Sequence, residues 1–331
     1  MAGKTMNDPN PPRPPLAADP KTAPGDPRRI PFAEFERRCQ KPDHRRLGNW
    51  MARQISRPAA LRITWLVAPW GISANTATLA AWGCGLVAAA ALGWGTIAGW
   101  LLAAACLQLW YLLDHVDGQL ARFHGTASLD GVQLDYLMHH TVNLLLPLGV
   151  GFGLFVRSAQ PLWLLAGLAW GMSLLLITLQ HDARCKAFVG RLKRLRGQLE
   201  VVGGGGCLPQ PQPPIPRKPL RLAAWTARKS CEPHVVMNLV LTVALAQWLF
   251  SDARLLLATA YLAAATPLAI AVAASSIFRS QHNQSAETEF AQWYRVPPGR
   301  ELTFTDGWWS TESPKSGGSG KPGKPEQKSQ E

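Results

Sequence analysis

Six stretches of this chain, near 75–95, 97–116, 133–156, 160–180, 235–250 and 255–277, are apolar over roughly the 17–25 residues that a helix needs to cross a bilayer. No other feature constrains the fold as strongly. Backbone polar groups in lipid must be satisfied within the protein, and only helices and closed barrels achieve that. Segments of this length predict an all-α polytopic membrane protein with six transmembrane helices. A soluble bundle fits poorly, because so many wholly apolar segments would leave it little polar surface. The break at Gly93–Thr96 is short enough to make the first two spans an antiparallel hairpin. The mean hydropathy near zero conceals these spans by averaging them with polar ends. Residues 1–42, rich in Pro, Arg and Asp, read as a disordered, basic N-terminal tail, and 281–331 as a mostly disordered C-terminal tail. The membrane domain is expected over 43–280. No apolar run with a cleavage site opens the sequence, so no cleaved signal peptide is expected.

Charge orients the spans. The chain carries a formal net charge of +13. Its basic residues gather before the first span (Arg45 to Arg62), between the second and third (Arg122), between the fourth and fifth (Arg184 to Lys229) and after the sixth (Arg279). The opposite loops hold only Arg157 and Arg254. Positive-inside placement puts both termini in the cytoplasm, in a cell (inner) membrane. Attraction to anionic lipid accounts for this excess, and no nucleic-acid-binding motif accompanies it, so a nucleic-acid partner is excluded. The six cysteines form no CxxC pair and no metal-ligand spacing. Residues 43–66 alternate arginines with Trp50, Ile55, Leu61 and Trp65, as an interfacial amphipathic helix broken near Pro58 would. Residues 203–219 are a glycine run and then a proline run, a flexible linker. The pairs Gly95/Gly99 and Gly167/Gly171 have the GxxxG spacing of close helix contacts, including those of a homodimer.

Against this apolar background one acidic cluster stands out. Residues 114–139 read DHVDGQLARFHGTASLDGVQLDYLMH. Ionisable groups at membrane depth are costly and mark functional sites. Asp114 and Asp117 lie three apart on one predicted helix, and Asp135 and His139 four apart on the next, so each pair shares a face. Together they offer four metal ligands. The stretch resembles the signature of the CDP-alcohol phosphatidyltransferases, D-x2-D-G-x2-A-R-x8-G-x3-D-x3-D, through Asp114, Asp117, Gly118, Ala121, Arg122, Gly131 and Asp135. Pro69 to Thr78 resembles the family's entry into its first span more loosely.

The resemblance implies a transferase of phospholipid synthesis, passing a substituted phosphate from CDP-diacylglycerol or a CDP-aminoalcohol to an alcohol or lipid acceptor with release of CMP. It implies a divalent metal, Mg²⁺ or Mn²⁺ and two ions, on Asp114, Asp117, Asp135 and His139. It implies CDP contacts from Asp114, Gly118, Ala121, Arg122 and Gly131, and catalysis through His139 and Asp135. One position departs from the signature: His139 stands where the family has its fourth aspartate. Imidazole serves as ligand or as base near neutral pH, but brings no negative charge, so the site should favour Mn²⁺ over Mg²⁺. A site that has lost activity is the competing explanation. His181 and Arg184, at the end of the fourth span, are candidate acceptor contacts, though basic residues there also serve as topology anchors. The rival functions are a silent binder of CDP-lipids and a transporter with an acidic ion site. A transporter would be expected to show internal repeats and mid-span charges, neither of which is evident.

Overall fold

The computed structural model describes residues 29–41, 44–202 and 214–311. It is all-α in its membrane unit, which takes in 29–182 and 214–282; a smaller unit holds 183–202 and 283–311. Residues 1–28, 42–43, 203–213 with Cys207, and 312–331 lie outside the described residues, and with them much of both expected tails and of the linker.

The first helix corrects the expected extent of the N-terminal tail. α1 (Phe32–Cys39) carries Glu34 paired to Arg37 and Arg38 along its surface and buries Phe35 and Cys39. Next comes α2 (Arg57–Val67), entered through a π-helical turn at Ala52–Ser56. The break expected near Pro58 is absent. Pro58 sits in the first turn of α2, where a missing N–H is tolerated, and the Arg57 N–H reaches back to the Ala52 carbonyl across the wider turn.

The bundle follows: α3 (Ala74–Gly93), α4 (Ile97–His124), α5 (Leu129–Ser158), α6 (Pro161–Lys193), α7 (Pro219–Lys229), α8 (Pro233–Leu249) and α9 (Arg254–His282). The helices α3, α4, α5, α6 and α9 are long and apolar enough to cross a membrane. The sixth expected span, α8, is a shorter apolar helix of 17 residues, packed into the same core through Val236, Met237, Val240 and Ala244. Leu86, Leu102, Phe152, Leu165, Leu176 and Ile270 point outwards, as lipid-facing side chains do.

Helix ends are fixed by local chemistry. Ser73, Thr96 and Ser128 cap α3, α4 and α5, each hydroxyl accepting a first-turn N–H. Gly125, at φ 64°, ends α4 in the left-handed region that a side chain would oppose. Both helices run past the expected spans: α4 continues through Asp117 to His124, and α5 begins before Asp135. The acidic cluster therefore sits on rigid helical backbone.

Glycines set how closely the helices approach. A Cβ on Gly153 would collide with the Leu92 carbonyl oxygen, one on Gly149 with that of Ala89, and one on Gly171 with that of Leu144. Gly151 and Gly167 face one another, a Cβ on either falling 2.9 Å from the other's Cα. Gly95 meets Gly153, and Gly99 meets Ala91. Both GxxxG pairs are thus occupied inside the bundle, and they lend no support to a homodimer.

The smaller unit corrects the expected C-terminal tail over its described part. Here α10 (Ser285–Trp293) and five strands of two or three residues assemble around aromatic rings. The Arg191 guanidinium lies 4.7 Å from the Phe290 ring centroid and 4.2 Å from that of Trp309 while pairing with Glu287. Hydrogen bonds from Arg191 hold the Glu287 carboxyl below its ordinary pKa. No disulfide links Cys39, Cys84, Cys106 or Cys231.

Gly153→Val should force α3 and α5 apart and destabilise the bundle by about 1–3 kcal/mol or more, the usual cost of overpacking. Thermal unfolding of the purified variant checks this; an unchanged midpoint would show that the contact is not tight.

Candidate active site

The turn between Gly125 and Ser128 reverses the chain, and α5, which packs chiefly on α3 as α4 does, brings Asp135 and His139 within reach of Asp114. His139 Nε2 lies 2.9 Å from Asp114 Oδ1 and 3.4 Å from Asp135 Oδ1. One ligand atom from each of Asp114, Asp135 and His139 falls within 4.8 Å of the others. The His139 ring is held edge-on against Trp110, with centroids 5.5 Å apart. Asp117, one turn further along α4, accepts a 2.7 Å hydrogen bond from Thr78 Oγ1 of α3.

This group tests well as a metal site. Asp135 Oδ1 is buried yet accepts no hydrogen bond, despite its place beside His139. A buried carboxylate oxygen left so is expensive, and a cation would satisfy it. Two carboxylates and an imidazole, all near one point, suit a divalent ion of intermediate softness.

These side chains form part of the wall of a cavity of about 250 Å³. Asp114, Asp117, Gly118, Arg122, Asp135 and His139 all line it. Gly118 leaves room beside Arg122: a Cβ there would lie 3.2 Å from a terminal guanidinium nitrogen. Ala121 and Gly131 are not in the wall. Gly131 packs next to Asn75 and the Ser128 cap. His181 also stands apart, exposed beside Asp182. Arg184 belongs to the smaller unit, where it pairs with Glu289 at 3.2 Å. Neither candidate acceptor contact lines the cavity.

The rest of the wall was not evident in the sequence. Gln40, Lys41, Arg57, His115 and Gln119 complete the cavity. Two contacts anchor the segment that carries Gln40 and Lys41. The Phe35 ring stacks on Phe123 at 4.9 Å, and Arg122 Nε donates to the Cys39 carbonyl at 2.5 Å. Arg57 donates to the carbonyls of His44 and Leu47, closing the following turn. Lys41 keeps an exposed face, yet partial desolvation lowers its amine pKa; Arg122 and Arg57 add to this, while Asp135 and Asp114 oppose it. The carboxylates thus face a basic rim. His115 Nδ1 approaches Asp114 Oδ2 at 3.5 Å, stacked on Tyr111. His115 lies within the DHVD run, but no spacing rule singles it out. Thr78 lies in the stretch resembling the family's first span.

Apolar helices of spanning length around a carboxylate–imidazole cluster with basic residues nearby define an integral membrane protein whose cluster could hold a metal ion. Residues 72–199 match the sequence profile of the CDP-alcohol phosphatidyltransferase family, and the cluster lies inside that match. That match is confined to residues 72–199 and marks a stretch similar to this family's domain there. No curated protein matches the chain closely enough to count as a relative.

Phe35→Ala should release α1 from α4, loosening that contact by about 3–5 kcal/mol, the usual cost of truncating a buried Phe. Trypsin should then cut after Arg37 and Arg38 under conditions where the parent protein resists. Equal resistance in the two proteins would mean that α1 is not held through Phe35.

Proposed function

We propose that this protein transfers a substituted phosphate from CDP-diacylglycerol or a CDP-aminoalcohol to an alcohol hydroxyl, making a phospholipid and releasing CMP. The observation that carries this reading is the Asp114–Asp135–His139 group sharing one cavity with Lys41, Arg57 and Arg122. The basic charge distribution supports a cytoplasmic site, with both termini on that side of a cell membrane.

The arrangement divides the work. Arg122 anchors one end of the cavity, its Nε held by Cys39 and its terminal nitrogens free to fork onto a diphosphate. Lys41 and Arg57 add positive charge where the donor would carry its phosphates. Asp114, Asp135 and His139 would hold a divalent cation, Mg²⁺ or Mn²⁺, with Asp117 the ligand for a second; such ions screen the diphosphate and the charge on departing CMP. The Asp135 carboxylate, or His139 Nε2 where the imidazole is not a metal ligand, accepts the proton of the acceptor hydroxyl. The oxygen then bonds to the β-phosphorus as its bond to CMP breaks. Thr78 holds Asp117 in one orientation throughout. Trp110 does the same for the His139 ring, which supports a retained role for the imidazole.

The reading is tested with purified protein and CDP-diacylglycerol or CDP-ethanolamine, over a panel of acceptors including glycerol phosphate, inositol and serine. Metal-dependent CMP release is expected, and Asp117→Asn should abolish it. Nucleotide binding without turnover would mark a silent binder, and ion flux in vesicles without CMP release a transporter; either overturns the proposal. His139→Asp should keep activity and move metal preference towards Mg²⁺, whereas His139→Ala should abolish it. An active alanine variant would remove the imidazole from the chemistry.

A further inference from the structure

Thr96 caps α4 eighteen residues before Asp114, a rise of about 27 Å at 1.5 Å per residue. The Gly95 turn therefore lies at the other end of the span from the acidic cluster. A separate cavity of about 210 Å³ opens there, bounded by Thr96 and Trp100 of α4, Arg157 of α5, Gln247 of α8 and Arg254 of α9.

Three of its polar side chains, Arg157, Gln247 and Arg254, carry donors with capacity to spare. Gln247 is 3% exposed, and its amide nitrogen is buried with no acceptor. Arg254 uses only Nε, on the Gln247 carbonyl oxygen at 3.2 Å. None of the ion pairs among the described residues involves Arg157 or Arg254. The first turn of α4 forms part of the wall, and a helix N-terminus favours negative charge. These two arginines are the exceptions to the charge rule that orients the chain, since every other loop at this end lacks a basic residue. Topology anchoring thus gives no reason for them. Two forked cations, an unsatisfied amide donor and a helix N-terminus at one small cavity are complementary to a tetrahedral oxyanion. The depth is that of a headgroup boundary, about one hydrocarbon thickness from the acidic site.

We propose that this cavity binds a phosphate group, carried by a phospholipid in the leaflet opposite the acidic site or by free phosphate. The site ties the ends of α8 and α9 to those of α4 and α5, and is independent of the chemistry at the other end.

The test uses full-length protein in detergent, with native mass spectrometry and thermal unfolding. The probes are dioleoylphosphatidylglycerol, dioleoylglycerol as the phosphate-free control, and inorganic phosphate. Phosphatidylglycerol should form a stable adduct and raise the unfolding temperature, and dioleoylglycerol should do neither. The double variant Arg157→Gln, Arg254→Gln should lower that adduct's population at least tenfold. Gln247→Met, close in volume but without the donor, should lower it about threefold, and decides the question if the double variant fails to fold. Stabilisation of the parent but not of Gln247→Met by inorganic phosphate, without a lipid adduct, would support the site and assign it to free phosphate. Folded variants that keep the parent's full adduct, or a parent that binds neither probe, would overturn the proposal.

Discussion

Three aspartates and a histidine project from helices that are otherwise apolar enough to span a bilayer. An isolated carboxylate there would cost several kcal/mol, so the surrounding structure has to compensate each one. Asp114 finds His139 and His115; Asp117 finds Thr78. Asp135 keeps one buried oxygen without a donor. That oxygen, buried beside His139 and without a hydrogen bond, is one that a bound cation would satisfy. Lys41, Arg57 and Arg122 line the same cavity from the segment after α1, from α2 and from α4, so a cation and a phosphate both find opposite charge there.

Holding four such groups in register requires helices that do not shift. Close packing supplies that rigidity. Gly149 and Gly153 let α5 press against the α3 backbone, and Gly151 lets α5 meet Gly167 of α6. Helices at such distances cannot slide without backbone collision, so Asp135 and His139 keep fixed positions opposite Asp114. The turn at Gly125 adds a further constraint, bending the chain sharply just beyond Arg122.

Much of this was legible in the sequence, because it depends on local spacing. The apolar stretches announced the spans, and the intervals in DHVDGQLAR and DGVQLDYLMH placed the right side chains on facing helices. Long-range features were not legible. Lys41 reaches the cavity because Phe35 meets Phe123 and Cys39 meets Arg122, 83 residues away, and a short helix in a Pro- and Arg-rich segment has too few turns to show a period. Thr78 and Asp117 are likewise joined by tertiary contact alone. The GxxxG pairs were visible, but spacing cannot tell whether a partner helix belongs to the same chain. Arg184 reads as an end-of-span cation in sequence, whereas in the fold it is paired to Glu289.

The cation expected at the α4–α5 end can be observed directly by pulsed electron paramagnetic resonance of Mn²⁺ titrated into the purified protein. A saturable Mn²⁺ site with nitrogen modulation from a coordinated imidazole is predicted, and the modulation should vanish in His139→Gln. The absence of saturable binding, or the same modulation persisting in that variant, would contradict a metal centre built on Asp114, Asp135 and His139.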